Sequence, residues 1–185
     1  SDDLQAMCSK RNDNCVLIKN GTEFNHFHNP TSNGVIPKIA TGPVIGYYGA
    51  ISDWFDVELI AFCARLRPSW HFVLIGSTTG ADISNLSKIE NVHLIGEIPY
   101  PELPGYLADF DVCTIPFKVI PLTIATNPVK FYEYLSAGKP VVSTQLPELN
   151  QYREFCHLAK DKYQFLDQLD NALSHKLSPE EVARR

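Results

Sequence analysis

The sequence predicts an α/β domain, a Rossmann-like doubly wound parallel sheet, on three observations. Short, continuous apolar runs recur along most of the chain, as expected of strands buried on both faces. Segments of helical period separate them, the alternation that builds a parallel sheet covered by helices. Three successive runs close on a glycine, at Gly49, Gly76 and Gly96, which leaves room at the carboxyl edge where such sheets hold ligands.

Residues 1–14 are polar with little periodicity and read as a linker or the remnant of an upstream domain, which puts the Rossmann-like domain over 15–185. Val16-Leu17-Ile18 is the first ordered run and ends at the Asn20-Gly21 turn signal. His26 and His28 alternate in a loop without an acidic or cysteine partner nearby, so they read as exposed rather than metal-bound. Pro30, Pro37 and Pro43 make 29–43 an irregular connection. Val44 to Ala50 reads as the first buried strand. Asp56 then caps a helix over 57–66 with Leu59, Ile60, Phe62, Cys63 and Leu66 on its apolar side. Strands follow at His71 to Gly76 and Val92 to Gly96, with a short helix expected within 82–88. A helix over 101–109 turns Leu103, Tyr106 and Leu107 inward, and Asp111 to Phe117 makes a fourth strand. After an irregular stretch at 118–126 come a helix over 127–137, a strand over 140–144, a weaker strand from Cys156 to Ala159, and a helix over 161–175. That last helix carries Phe165, Leu166, Leu169, Ala172 and Leu173 at helical spacing. Residues 177–185 read as the start of one more helix, cut short.

Composition narrows the function. A chain of 185 residues, 44% hydrophobic and 20% charged, has the make-up of a soluble globular domain with one sizeable core. The net charge of −5 and the lack of a basic stripe argue against nucleic acid as a partner. No apolar run approaches the roughly 20 residues that span a bilayer. The five cysteines are odd in number and form no C-x-x-C pair, so they read as reduced thiols of a cytoplasmic protein rather than disulfides or zinc ligands.

The stretch from Thr126 to Thr144 carries the chemistry. Asn127 suits a helix N-cap, Pro128 the first helical position, Gly138 a left-handed C-cap, and Pro140 a stop. Phe131, Tyr134 and Leu135 form an apolar stripe, while Lys130 and Glu133 share a different face three residues apart. Free N–H groups, the positive end of the helix dipole and a lysine make a phosphate-holding first turn. One turn deeper, the carboxylate suits the paired hydroxyls of a ribose. The same residues also suit a plain core helix bearing a surface ion pair.

The common nucleotide motifs fail. Gly46-Tyr47-Tyr48-Gly49 lacks the later glycine of G-x-G-x-x-G, and Gly138-Lys139 is followed by Pro140 where a P-loop needs Ser or Thr. No nucleophile elbow is present. What fits is spread over nearly the whole chain, in order: Leu17 to Glu23 with Phe27, Val44 to Ala50, Phe72 to Gly76, Asn91 to Gly96, Pro101 to Val112, and Asn127 to Ser143. Together these segments resemble the C-terminal half of a GT-B glycosyltransferase, close to family 4.

The resemblance implies a domain that binds a UDP- or GDP-sugar in a cleft against an N-terminal GT-B domain, which holds the acceptor and any catalytic base. It implies a retaining sugar transferase that needs no metal and acts on a glycan or lipid-linked acceptor in bacterial polysaccharide synthesis. The intact protein would be cytoplasmic, or peripheral at the inner membrane face where its acceptor is membrane-associated. Glu133 matches the second family glutamate, the ribose ligand; Asn127 opens the matching helix; the N–H groups of Val129 and Lys130 would face the diphosphate. Ile98 falls where backbone reads the nucleobase edge, and Gly49 belongs to the loop that lets diphosphate and sugar approach. Two departures stand out. The first family glutamate, eight positions earlier, is Ala125 here, and the Arg and Lys usual after the glycine loop are replaced by Ala50-Ile51-Ser52-Asp53-Trp54-Phe55. Lys118 and Lys130 are the candidates to replace those cations, and Trp54 to line the cleft. The departures equally suit a non-catalytic Rossmann module for nucleotide sensing or protein contact.

Overall fold

The computed structural model describes residues 1–175 and 177–184. Six strands, β1 (Val44–Tyr48), β2 (His71–Ile75), β3 (Val92–Gly96), β4 (Val112–Ile115), β5 (Val141–Thr144) and β6 (His157–Ala159), form one sheet in the order β3-β2-β1-β4-β5-β6. Every pairing is parallel. The sheet is therefore the Rossmann-like one expected, and its order reverses between β1 and β4, the place where such sheets open a crevice. All of β1, and all of β2 beyond His71, is buried, because helices cover both faces.

The helices are α1 (Asp2–Ser9), α2 (Phe24–Phe27), α3 (Val57–Leu66), α4 (Leu103–Leu107), α5 (Pro121–Ile124), α6 (Val129–Ser136), α7 (Lys162–Ser174) and α8 (Pro179–Ala183). The Asp56 side chain caps α3 by accepting from the Leu59 N–H at 3.0 Å, and Asp161 caps α7 by accepting from Tyr163 and Gln164. None of the helices is long and apolar enough to cross a membrane among the described residues.

Several sequence expectations change. Residues 2–9 are helical, with Ser1 as N-cap and Asp2 and Asp3 complementing the dipole. The run Val16-Leu17-Ile18 pairs with no strand, and Val16 and Ile18 are 85% and 87% exposed. His26 lies in α2 and is half-buried rather than on an exposed loop. No helix forms within 82–88: the Asp82 side chain accepts from the Ser84 N–H at 2.9 Å, a local turn that competes with helix. The 101–109 helix is a 3₁₀ turn over Tyr100–Glu102 followed by α4. The stretch 118–126, expected to be irregular, contains α5. A short α8 follows α7, with a Ser178/Glu181 capping box at its start; Arg185 lies outside the described residues.

Candidate functional site

The carboxyl ends of β1 and β2 meet the start of α6. Gly49 follows β1 with φ +129°, and its N–H donates to the Ile75 carbonyl at 2.8 Å. A Cβ at position 49 would lie 3.0 Å from Cε and 3.2 Å from Nζ of Lys130; one at Gly76, where φ is +138°, would lie 2.1 Å from the Gly49 carbonyl oxygen. The close approach of two chain segments and one lysine is therefore possible only because both positions lack a side chain.

Lys130 is half-buried, with its ammonium 4.9 Å from the centre of the Phe117 ring and 5.3 Å from that of Tyr47. It makes no ion pair or hydrogen bond with a described residue. Burial draws its pKa down to about 8, with Glu133 acting weakly in the opposite sense. A half-buried cation with no ion pair is a poorly matched charge. No side chain caps the start of α6, which leaves the first-turn N–H groups of Val129 and Lys130 without a capping partner.

Here the structure corrects one expectation. Asn127 is not the cap of α6: Pro128 occupies the N-cap position and the helix begins at Val129. The residue before a proline disfavours helical backbone, and the Asn127 amide is committed elsewhere. It accepts from the Asn20 N–H at 2.9 Å and donates to the Tyr132 hydroxyl at 2.9 Å and to Glu148 at 3.3 Å. Asn20 donates in turn to the Asn127 carbonyl at 2.7 Å, and Lys19 pairs with Glu148 at 2.9 Å. The network ties the segment ahead of α2 to the root of α6.

Glu133 does not lie on a solvated face with Lys130. It is 5% exposed, where α2 packs against α6 and Phe27 of α2 stacks on Tyr48 of β1. Among the described residues no ion pair reaches its carboxylate, and its hydrogen-bonding neighbour is the Tyr48 hydroxyl. Burial pushes its pKa up, opposed by the neighbouring Tyr48 hydroxyl, Lys130 and His26. The buried Tyr48 hydroxyl stands beside that carboxylate and the buried Thr22 hydroxyl beside Tyr100, neither in a well-formed hydrogen bond. Tyr100, which stacks on His26 at 4.9 Å, stands near both Glu133 and Thr22. Buried polar groups are thus gathered at one place. Sequence reading missed Tyr48, Thr22, His26 and Tyr100; the available signals were the tyrosine just before Gly49 and the aromatic-rich segment after Asn20-Gly21.

Two cavities flank the Gly49–Lys130 contact. One, of about 270 Å³, is lined by Tyr48, Gly49, Gly76, Glu97, Ile98 and Leu103. The other, of about 380 Å³, is lined by Trp54, Phe117, Leu122, Asn127, Val129 and Lys130 among others. Gly49 and Ile98 therefore share one compartment, Asn127, Val129 and Lys130 the other, and Glu133 stands behind Tyr48. Lys118 lines neither: it is exposed, and its ammonium donates to the Asp53 carbonyl at 2.9 Å. It belongs to a cavity of about 640 Å³ between α3 and the start of α7, which holds none of the other expected residues. Among the described residues no group of three or more His, Cys, Asp or Glu side chains is placed to hold a metal.

The chain matches the family described as glycosyl transferases group 1 over residues 42–175. It is 32% identical over 142 residues to TuaH of Bacillus subtilis (strain 168), whose name assigns it to teichuronic acid biosynthesis as a glycosyltransferase; the match covers 74% of this chain and 36% of that protein. Among solved structures it is similar to AviGT4, a glycosyltransferase of avilamycin A biosynthesis (TM-score 0.70, 18% identity, 100% of this chain and 55% of that one). It is also similar to Anabaena HepE in complex with UDP and glucose (TM-score 0.63, 17% identity, 93% and 50%). A third is the C-terminal domain of LpcC, a group 1 family protein from Francisella tularensis (TM-score 0.63, 20% identity, 84% and 89%). The chain spans about a third of the curated relative and about half of the first two structures.

Proposed function

The chain belongs to the glycosyl transferases group 1 family, and we propose that it is the donor-binding domain of its enzyme. In this reading it holds a UDP- or GDP-sugar, and the intact protein transfers the sugar to a glycan or lipid-linked acceptor in bacterial polysaccharide synthesis. An N-terminal GT-B domain supplies the acceptor site. The observation that carries the reading is the unpaired Lys130 ammonium beside Gly49 at the uncapped start of α6, between two cavities. A diphosphate there would meet one cation and two free N–H groups. The nucleoside would extend along Gly49 toward Ile98; its ribose hydroxyls would donate to Glu133, a contact that requires Tyr48, which stands between that cavity and the buried carboxylate, to move aside. HepE, with UDP and glucose bound in the same fold, supports the ligand class.

The chemistry assigned to this half is charge stabilisation of the departing diphosphate by Lys130 and the helix N-terminus, without a metal. Lys118 acts in this reading by tying the loop at Asp53. Calorimetric titration of the chain with UDP, GDP, ADP and NAD, with and without chelator, tests it. Binding of UDP or GDP in chelator, lost in Glu133→Ala, is expected; binding that requires a divalent ion refutes metal independence. Pyrophosphate provides the control, because Glu133→Ala should weaken the nucleoside diphosphate and leave pyrophosphate unchanged.

Ala125 and the missing Arg/Lys pair favour a second reading, a non-catalytic nucleotide-sensing or interaction module. Binding of NAD or of no nucleotide would select it.

A further inference from the structure

Glu133 is the acid assigned to the donor ribose, and the fold keeps it covered. Tyr48, itself 4% exposed, stands between that carboxylate and the 270 Å³ cavity running from Gly49 to Ile98. Tyr48 lines the cavity; Glu133 does not. The other groups near the carboxylate are turned elsewhere. The Lys130 ammonium lies over the Phe117 and Tyr47 rings. The His26 ring stacks on Tyr100, with its Nε2 3.3 Å from the Tyr100 carbonyl. The Tyr48 hydroxyl is left as the hydrogen-bond donor beside Glu133, buried and in an imperfect bond.

Packing, more than that hydroxyl, holds the Tyr48 ring. It stacks on Phe27 of α2 at 6.4 Å and meets the Tyr134 ring edge-on at 4.9 Å. Its backbone belongs to β1, where the Tyr48 N–H donates to the Tyr134 hydroxyl at 3.2 Å. The strand ends there, and Gly49 follows with φ +129°. Side-chain rotation alone, with the strand left paired, therefore changes what the hydroxyl faces. Chemically, a phenol hydroxyl offers Glu133 what a ribose hydroxyl would offer: one O–H directed at a buried acceptor that is costly to leave without a donor.

We propose that Tyr48 is the ribose gate of the donor site: its hydroxyl stands in for a ribose hydroxyl on Glu133 while the site is empty and is displaced as the nucleoside enters. This rests on the donor-site reading, with Glu133 as the ribose ligand. Tyr48 is then a positioning residue that acts through Glu133. Because the ribose exchanges one hydrogen bond for another, Tyr48 sets how strongly the site distinguishes a nucleotide with ribose hydroxyls from one without them.

The test is calorimetric titration of the 185-residue chain and its Tyr48→Phe variant with UDP, GDP, their 2′,3′-dideoxy analogues and pyrophosphate. Phenylalanine keeps the ring against Phe27 and Tyr134 and removes only the competing hydroxyl. Whichever of UDP and GDP binds should bind about 3- to 10-fold more tightly to the variant, the scale of one hydrogen bond no longer exchanged. The dideoxy analogue and pyrophosphate should be unchanged, so ribose discrimination widens by the same factor. A purely structural effect would move all the ligands together, and unchanged pyrophosphate binding shows that the variant is folded at the diphosphate end. Ribonucleotide affinity that stays the same or falls, or an equal shift for every ligand, overturns the gate and leaves the donor reading standing. Failure of every nucleoside diphosphate to bind either protein overturns both.

Discussion

Replacing Lys130 by methionine should make the ligand-free protein more stable and the donor site worse. Burial lowers the lysine from its ordinary 10.5 to about 8, so at neutral pH its charge costs the fold up to about 3 kcal/mol. Screening at its solvent-facing edge reduces that to about 2 kcal/mol. The Tyr47 and Phe117 ring faces return about 0.5–1 kcal/mol. Methionine keeps the packing volume and removes the charge, leaving a net gain of about 1 kcal/mol, or about 2–4 °C in Tm for a chain of this size. A charge-assisted hydrogen bond to diphosphate contributes about 1.5–3 kcal/mol, so affinity for UDP or GDP should fall by about 10- to 100-fold. The pH dependence follows from the same lysine. The unfolded chain binds more protons than the folded one between about 8 and 10.5, so wild-type stability rises over that range and the advantage of the variant fades. Diphosphate affinity runs the other way, falling in wild type as pH rises through about 8 and remaining flat in Lys130→Met. Thermal melts and titrations at pH 7 and 9 read all of this. A variant that melts lower and binds the diphosphate unchanged would refute the reasoning.

Gly49→Ala places a Cβ 3.0 Å from Lys130 at a backbone angle reserved for glycine; it should cost about 1–3 kcal/mol in urea melts and weaken UDP or GDP binding by displacing the ammonium. His71 and His93 lie at the amino ends of β2 and β3, 2.9 Å apart, and the Thr41 N–H donates to His71. That pairing needs both rings neutral, and burial with the facing His71 holds the His93 pKa below its ordinary value. The unfolded chain then binds more protons just below about 6.5, so the urea midpoint should fall as pH drops from 7.5 to 5.5, and His93→Gln should flatten the slope. Asn127→Ala leaves Asn20 and Glu148 short of partners; a loss of about 1–3 kcal/mol is expected in urea melts, with weaker nucleoside diphosphate binding as the root of α6 loosens.

Strand type, strand sequence and the glycines at the carboxyl edge were legible in the chain, because each depends on the period and identity of neighbouring residues. The helix carrying Lys130 and Glu133 was legible too, although its cap was not: Asn127 has the right side chain for a cap, but Asn20, more than a hundred positions away, takes its oxygen. The fragment 82–88 misled for a local reason, since Asp82 and Ser84 satisfy each other in a turn.

The amino-acid sequence by itself determined an α/β domain of the group 1 glycosyltransferases and pointed to Gly49, Lys130 and Glu133. Only the tertiary structure decided that Lys130 stands unpaired against Gly49, that Glu133 is buried beneath α2 beside Tyr48, and that Lys118 belongs elsewhere. The physical reason is that charge and hydrogen bonding at a site depend on which side chains exclude water from it. Those side chains converge through the β2-β1-β4 order of the sheet and the docking of α2 on α6, and no local period records either.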